Sequence, residues 1–264
     1  MEQKDLQMAL PERKAPIHVF RETGSTNDDA KRLAREGAVE GTTVIAESQS
    51  AGRGRMGRSF SSPGGKGLYL SVIYRPAEMK LTHLPVFTAW AAVAVCRMLE
   101  KELDCAPQIK WTNDILLGGR KVCGILTESQ LCGDHAEFIV AGIGLNLARR
   151  EEDFPEELRQ IATSTLLATG KELKPERAAA SLLRELDICY REYLSGGGFL
   201  PEAYRARCVT VGQHVFWEEK CRRHTGQVTS LGDGGELIVR RDDGTETKIG
   251  WGEVSVRPEN DLCV

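Results

Sequence analysis

The stretch "QSAGRGRMGRSF", residues 49–60, alternates three glycines with three arginines between two segments that have the apolar pattern of strands. Its centre, GRGRMG, satisfies the dinucleotide-binding pattern G-x-G-x-x-G. That site also requires a helix directly after the third glycine, because the helix N-terminus binds the pyrophosphate. The next residues, "RSFSSPGGKG" (58–67), contain a proline and three more glycines, which disfavour a helix. The sequence therefore predicts a loop here and not a dinucleotide cradle.

Other interpretations of this loop differ in the ligand that they imply. A P-loop is disfavoured because no serine or threonine follows Lys66. A solvated surface loop would explain the arginines alone, but long connections in compact domains are usually functional or disordered. Backbone N–H groups exposed by glycine, together with guanidinium groups, form a cage for phosphate or carboxylate. An RNA-binding loop would need interleaved aromatic residues, and only Phe60 is close. We therefore interpret the loop as an anion cage.

The composition is that of an ordinary globular protein. The 264 residues are 41% hydrophobic and 28% charged, enough for one large core or for one core and a small second domain. A formal net charge of -3 gives no overall attraction to nucleic acid or to an anionic membrane. Eight cysteines and five histidines show neither C-x-x-C pairs nor zinc spacing. With a charged N-terminus and no apolar run of about 20 residues, these features predict a cytoplasmic protein with reduced thiols.

Periodicity and turn signals predict the elements along the chain. Residues 1–15 are interpreted as a leader, and a helix is predicted from Ser25 or Thr26 to Gly37. Another helix, 84–104, should bury its N-terminal half. Further helices are predicted at 163–169 and 174–194, and strands at 16–20, 42–48, 67–76, 108–111, 114–119, 121–129 and 137–147, with a hairpin turn at Gly118-Gly119. After Val209 the strands become short and turn-separated, which is typical of a small barrel. The predicted domains are 1–15 (leader), 16–209 (catalytic), 210–258 (barrel) and 259–264 (tail).

Four motifs carry a resemblance to a known family. They are "GSTND" (24–28), "ESQSAGRGRMGR" (47–58), "KWTND" (110–114) and "GIGLNL" (142–147). In this order they resemble the biotin–protein ligases, and the resemblance covers residues 16–257. It implies an α+β fold, with a mixed central sheet flanked by helices as in class II synthetases, and a small C-terminal SH3-like β-barrel.

The chain departs from the family pattern in two places. Thr112 stands where the family usually has proline, which affects local rigidity rather than the chemistry. The 15 residues before the first strand are too few for the helix-turn-helix domain of bifunctional members. The resemblance therefore implies a ligase without DNA binding.

The implied reaction has two steps. The carboxylate of biotin attacks the α-phosphorus of ATP, pyrophosphate leaves, and biotinyl-5′-AMP forms. A lysine amine of a biotin carboxyl carrier protein or domain then attacks this mixed anhydride. Charge accumulates on the phosphates, so the enzyme must supply positive charge and positioning, with Mg²⁺ bound to the phosphates. No protein ligand is assigned to Mg²⁺, no membrane partner is expected, and the family resemblance allows a homodimer through sheet edges.

The resemblance also implies the site residues. Lys110 and Arg55 are the predicted catalytic residues, with Lys110 bridging the biotin carboxylate and the α-phosphate. The loop is expected to close over the ligand and retain the adenylate. The predicted biotin-binding residues are Ser25, Thr26, Asn27, Gln49, Arg53, Gly54, Arg55, Lys110, Gly142 and Gly144. The predicted ATP and adenylate residues are Arg53, Arg55, Phe60, Lys110, Asn113 and Asn146.

Several of these residues have a plain structural alternative. Ser25 and Thr26 are good helix caps, the glycines of 142–144 also suit tight strand packing, and Phe60 could anchor the end of the loop. Lys110 could be a surface lysine beside Trp111. Two further residues receive no site role: Arg58 is expected to be surface charge, and Asp114 a turn residue.

Two other functions compete with this prediction. A lipoate–protein ligase or related acyltransferase shares the catalytic architecture, but it needs a long acyl tunnel and fits the arginine loop and KWTND less well. From a different class, a non-enzymatic RNA-binding module could use the arginine loop and the barrel. The acidic net charge argues against that module.

Overall fold

The computed structural model describes residues 1–76, 83–133, 135–196, 198–219, 222–250 and 257–258. The helices are Gln3–Ala9 (α1), Thr26–Arg35 (α2), Leu84–Leu103 (α3), Thr165–Thr169 (α4), Pro175–Ser195 (α5) and Glu202–Arg205 (α6). The strands are Ile17–Thr23 (β1), Thr43–Gln49 (β2), Gly67–Tyr74 (β3), Gln108–Lys110 (β4), Asp114–Leu117 (β5), Arg120–Cys132 (β6), His135–Asn146 (β7), His214–Glu219 (β8), Arg222–Leu231 (β9), Leu237–Arg241 (β10), Glu246–Ile249 (β11) and Arg257–Pro258 (β12).

A seven-stranded sheet forms the centre of the molecule, in the order β1-β2-β3-β7-β6-β5-β4. The pair β1 and β2 is parallel, and the other pairs are antiparallel. Successive residues of a strand face opposite sides of a sheet, and in β2 Val44 packs with α2 whereas Ile45 belongs to the large core with α3 and α5. Helices therefore cover both faces, and the predicted mixed sheet flanked by helices is confirmed.

The hydrophobic patterns of the sequence correspond closely to these elements. α3 buries its N-terminal half as predicted, including Val86 and Phe87, and its burial extends to Leu103. Gly118 and Gly119 adopt φ angles of 57° and 76° between β5 and β6, as a two-residue hairpin turn with positive φ requires. The β1 strand runs three residues beyond its predicted end.

The first 15 residues have more structure than the sequence patterns predict. They contain α1, and Leu6 and Leu10 are each only 1% exposed in the large core. Arg13 donates to the Asp187 carboxylate at 2.5 Å and to the Gly41 carbonyl at 2.6 Å. This segment therefore packs on the central sheet and α5.

The strands after residue 209 form a separate sheet in the order β11-β10-β9-β8-β12. Its pairs are antiparallel, and the Trp111 indole N–H reaches it by donating to the Gly235 carbonyl at 2.9 Å. Arg205 of α6 forms an ion pair with Asp233 at 2.8 Å. Residues 251–256 of the predicted barrel and the predicted tail 259–264 lie outside the described residues.

Two further features of the described part of the chain concern membrane helices and cysteines. Within it, no helix is long and apolar enough to cross a membrane. The six cysteines that it includes are free thiols, at positions 96, 105, 123, 132, 189 and 208.

Candidate active site

The four motifs of the sequence come into contact at one end of the central sheet. The first motif follows the end of β1, and Gln49 ends the parallel strand β2, so both lie at the same end. The neighbouring strand β3 runs antiparallel and begins there, at Gly67. The fold thus brings together segments that are far apart in the sequence.

A buried polar floor joins the first two motifs. Ser25, Thr26 and Asn27 are each at most 4% exposed. The Thr26 backbone N–H and hydroxyl donate to Gln49 Oε1 at 2.9 and 3.1 Å. The Ser71 hydroxyl of β3 lies 2.8 Å from Thr26 Oγ1 and 2.6 Å from Asn27 Oδ1. Buried polar groups are costly unless they are hydrogen-bonded, and this network meets that requirement while leaving acceptors at the floor.

Ser25 stands at the N-cap position of α2, but its side chain makes no capping hydrogen bond. The helix cap that the sequence offered as an alternative role is therefore not formed by this hydroxyl. Thr26 is already the first helical residue, and its hydroxyl is directed to Gln49. The Thr26 side chain therefore belongs to the hydrogen-bonded floor, and Ser25 is buried next to it.

Gly142 and Gly144 lie on β7 under two side chains of the predicted site. A Cβ atom on Gly142 would stand 2.0 Å from Asn27 Oδ1, and one on Gly144 would stand 2.5 Å from the Phe60 ring. Glycine is required at both positions because Asn27 and Phe60 approach the backbone so closely. The Phe60 ring occupies the space above Gly144.

The glycine and arginine loop folds back on itself. Gly54 N–H donates to the Arg58 carbonyl at 2.7 Å, and isolated bridges pair Arg53 with Ser59 and Gln49 with Ser62. A short 3-10 turn spans Arg55–Gly57, after which the chain is extended. No helix follows Gly57, which confirms the rejection of the dinucleotide pattern.

Arg53 contacts the helix that follows β1. Its guanidinium lies 2.6 Å from the Asp28 carboxylate and 3.1 Å from that of Glu128. Lys31 bridges the same two carboxylates, at 2.8 and 2.9 Å. Burial raises the pKa of Asp28, but the hydrogen bonds and charges of Lys31 and Arg53 lower it more, so its pKa lies below the ordinary value.

Arg55 contacts the KWTND motif instead. Its Nη1 donates to Thr112 Oγ1 at 2.5 Å and to Asn113 Oδ1 at 3.1 Å. Burial lowers the pKa of Arg55, and the nearby Asp114 and Tyr204 offset this only in part. A guanidinium desolvated in this way interacts strongly with an anion that reaches it.

The KWTND motif is anchored on both sides. Lys110 ends β4 opposite Asp114 of β5, and Trp111 is 6% exposed. Tyr204 of α6 donates to the Thr112 carbonyl at 2.9 Å, and the Trp111–Thr112 peptide bond is cis. Lys110 itself is partly exposed next to the buried Trp111.

Asn113 and Asn146 occupy two different corners of the site. Asn113 Nδ2 donates to the Ile125 carbonyl at 2.8 Å, in the same cluster as Arg55. Asn146 Nδ2 donates to the Thr163 carbonyl at 3.0 Å, and its Oδ1 accepts from Arg149 at 3.3 Å. The two side chains therefore have different hydrogen-bond partners.

Comparison with known proteins places this geometry in a family. Residues 19–146 match the model of the biotin/lipoate A/B protein ligase family. The bifunctional ligase/repressor BirA of Bacillus spizizenii is 36% identical over 222 residues, which cover 83% of this chain and 68% of that protein. The chain belongs to the biotin protein ligase family.

Other relatives of this ligase agree. The biotin–[acetyl-CoA-carboxylase] ligase of Mycobacterium tuberculosis is 34% identical over 203 residues, covering 75% of this chain and 73% of the relative. A biotin protein ligase from Aquifex aeolicus, solved in complex with biotin and ATP, superposes with a TM-score of 0.79 and 27% identity. That match covers 94% of this chain and all of the other.

Four polar residues at the site of this ligase were not predicted from the sequence. Ser71 and Glu128 take part in the contacts described above. Lys121 lies 2.7 Å from Asp114 and 6.0 Å from the Phe60 ring centroid, and Arg149 donates to Asn146 and to Ser61 Oγ, the latter at 2.8 Å. Only Ser71 has a signal in the sequence, because it is a polar residue inside the apolar strand "LYLSVIY". The positions of the other three residues do not distinguish them from ordinary surface residues.

A cavity of about 330 Å³ lies elsewhere in this ligase, between α1, α3 and α5. Its lining includes Leu6, Glu102 and Ser181 and none of the predicted site residues. It is therefore separate from the candidate active site.

Proposed function

We propose that this chain is an ATP-dependent ligase that adenylates biotin to biotinyl-5′-AMP and transfers biotin to a specific lysine of a biotin carboxyl carrier domain of a carboxylase. One observation carries the proposal. The arginine loop, KWTND and the polar floor meet at a single site, in a chain that aligns over 94% of its length with a ligase solved with biotin and ATP.

The polar floor supplies the chemistry for biotin. A ureido ring carries N–H donors and a carbonyl acceptor, which hydroxyl and amide side chains match. Thr26, Asn27, Gln49 and Ser71 form one connected set of such groups. Ser25 lies beside them and is equally buried.

The arginine loop and KWTND supply the chemistry for the phosphates. Arg55 contacts Asn113 at this corner, and we assign to Lys110, of the same motif, the bridge between the biotin carboxylate and the α-phosphate. Positive charge held in place there stabilises the charge that develops in the transition state. Phe60, over Gly144, separates the loop from the strands and would pack against the adenylate.

Mg²⁺ neutralises charge on the ATP phosphates in this reaction class. Among the residues that the structure describes, no group of three or more histidine, cysteine or acidic side chains could hold a metal ion. Mg²⁺ usually keeps several waters and binds substrate phosphates rather than a cage of protein ligands. Asn113 and Asn146 are the neutral oxygen donors that would face such waters.

The remaining assignments concern the whole protein. We assign the sheet after residue 209 to an SH3-like barrel. We place the boundary between a catalytic domain, 16–209, and the barrel domain, 210–258, at Val209, because its N–H still donates to the Ile109 carbonyl of β4 whereas β8 begins at His214. We assign the protein to the cytoplasm and expect its reaction to involve neither DNA nor a membrane. If two copies form a homodimer, we expect them to pair through an edge strand of the central sheet, β1 or β4.

The deciding experiment is transfer of labelled biotin to a biotin carboxyl carrier domain with ATP and Mg²⁺. We expect the wild type to label one lysine. We expect the adenylation rate of Lys110→Ala to be lower by roughly 10²–10³-fold, the typical cost of losing one preorganised donor. A near-normal rate in Lys110→Ala would remove the role assigned to this lysine.

The same assay separates the competing functions. ATP–pyrophosphate exchange should depend on biotin and not on lipoate; the reverse dependence would make the protein a lipoate ligase. Salt-dependent RNA binding with no exchange activity would instead support the RNA-binding module.

A further inference from the structure

Glu128 occupies the junction between the polar floor and the arginine loop. It lies on β6, and its side chain is 21% exposed. Oε2 accepts from Asn27 Nδ2 at 2.8 Å, whereas Oε1 accepts from Lys31 at 2.9 Å and from Arg53 at 3.1 Å. One carboxylate therefore contacts both a predicted biotin residue and a predicted loop residue.

The contact with Asn27 decides which way the Asn27 amide faces. Its NH₂ group donates to Glu128 Oε2 and also to the Leu126 carbonyl at 3.2 Å, so both hydrogens are used. Its Oδ1 accepts from the Ser71 hydroxyl at 2.6 Å. A flipped amide would place its oxygen against two acceptors, the Leu126 carbonyl and the Glu128 carboxylate. The partly buried carboxylate thus holds Oδ1 toward the floor.

We propose that Glu128 is a positioning residue for biotin: it holds the Asn27 amide so that Oδ1 accepts a ureido N–H. The inference rests on the function proposed above. A carbonyl oxygen has two lone pairs, so Asn27 Oδ1 can accept from Ser71 and from the ligand together. Without the Glu128 acceptor, only the Leu126 carbonyl opposes a second orientation of the amide, which presents a donor to the ureido N–H.

The chain contains a matched control for this role. Asp28 binds the same two cations, Lys31 at 2.8 Å and Arg53 at 2.6 Å. Its side chain is 54% exposed, and within the described part of the chain it makes no hydrogen bond to the Asn27 side chain. Loss of charge at Asp28 therefore weakens the ion cluster and leaves the orientation of Asn27 intact.

The test measures the KM for biotin and kcat in ATP–pyrophosphate exchange. Glu128→Met keeps the length of the side chain and removes the acceptor, and we expect its biotin KM to rise about tenfold with kcat within about threefold of the wild type. Glu128→Gln retains an amide oxygen for Asn27 Nδ2, so its KM should stay within about threefold. Asp28→Asn should also stay within about threefold, because it removes only exposed ion pairs.

The double variant Asn27→Ala with Glu128→Met gives a readout that a purely structural role would not move. If Glu128 acts through Asn27, Glu128→Met should add nothing to the KM of Asn27→Ala. An independent effect of Glu128→Met in that background would overturn the proposal. So would a tenfold rise that Glu128→Gln and Asp28→Asn share, because charge would then be the cause.

Two further outcomes are decisive. An unchanged biotin KM in Glu128→Met, or a loss confined to kcat, would overturn the positioning role while the wild type remains an active ligase. A wild type without biotin-dependent exchange would refute the proposed function itself. If Glu128→Met does not fold, Glu128→Asp decides, since it keeps the charge but shortens the reach; its biotin KM should also rise, and a wild-type value would overturn the proposal.

Discussion

Arg53 and Arg55 are two residues apart in one loop, yet the structure gives them different surroundings. The Arg53 side chain is 44% exposed and pairs with two carboxylates. Arg55 is more deeply buried, donates to neutral oxygens of Thr112 and Asn113, and has its pKa lowered by burial. A charge that has lost water interacts more strongly with an incoming anion than one in contact with solvent and counter-ions. We therefore expect Arg55 to contribute more than Arg53 to holding the adenylate.

The largest effect should come from Arg55→Gly. We expect release of biotinyl-5′-AMP to accelerate by about 10²-fold, with labelling of unspecific lysines, because a preorganised cation is lost from the closed site. Retention of the labelled intermediate on gel filtration measures it, with Arg53→Gly as the matched variant. Equal leakage from the two variants would abolish the distinction between the arginines.

Tyr204→Phe tests the frame behind Arg55. The buried hydroxyl donates to the Thr112 carbonyl, and its removal should lower the free energy of unfolding by about 1–2 kcal/mol. Burial raises the pKa of Tyr204 well above its ordinary value. The neutral side chain therefore makes its full contribution to the free energy of unfolding below about pH 10, the ordinary pKa of tyrosine. This contribution is lost as the pH rises toward the folded pKa. The difference between wild type and Tyr204→Phe in urea unfolding should therefore shrink above pH 10; a constant difference would exclude this linkage.

Thr112→Val should have a smaller effect, confined to the Arg55 side. It keeps the branched shape and removes the hydroxyl that accepts from Arg55. Release of the adenylate should accelerate about fivefold, as expected for one hydrogen bond of about 1 kcal/mol. Thr112→Ser keeps the hydroxyl and should release the adenylate at the wild-type rate. If Thr112→Ser releases it as fast as Thr112→Val, the shape of the Thr112 side chain matters rather than its hydrogen bond.

The smallest effect should come from Asp28→Asn, on the Arg53 side. Exposed ion pairs contribute little, so adenylate release should change by no more than about threefold at neutral pH. Because the pKa of Asp28 is lowered, its stabilising contribution is present above the ordinary carboxyl value and disappears as the pH falls through the folded pKa. Urea unfolding should show a difference from wild type at pH 7 that vanishes under strongly acidic conditions. A larger difference in acid than at pH 7 would have the wrong sign.

Local patterns were sufficient to predict much of the fold. Apolar periodicity located α3 and the central strands, and the glycine pair 118–119 located a hairpin turn. α1 escaped prediction because "QKDLQMA" has only a weak apolar face, and Leu6 is buried through packing on distant elements. Propensity describes a segment on its own, whereas burial depends on what the segment meets.

The candidate site shows the same division. The sequence motifs identified Thr26, Asn27 and Gln49 as a polar set, and the structure brings them into one hydrogen-bond network. The partners Ser71 and Glu128 could not be identified, because they lie 44 and 101 residues from Asn27 along the chain. No local pattern encodes a contact at that distance; it follows from the register of β3, β7 and β6.

By itself, the sequence determined the motifs, their order, most elements and the absence of a helix after "GRGRMG", because these depend on residue type and spacing. Only the tertiary structure decided that Arg53 meets Asp28 and Glu128 while Arg55 meets Thr112 and Asn113. The physical reason begins with the local backbone, because Arg53 pairs with Ser59 in an isolated bridge whereas Arg55 begins a 3-10 turn. Their partners come from strands and helices whose relative positions are set by the packing of the whole core.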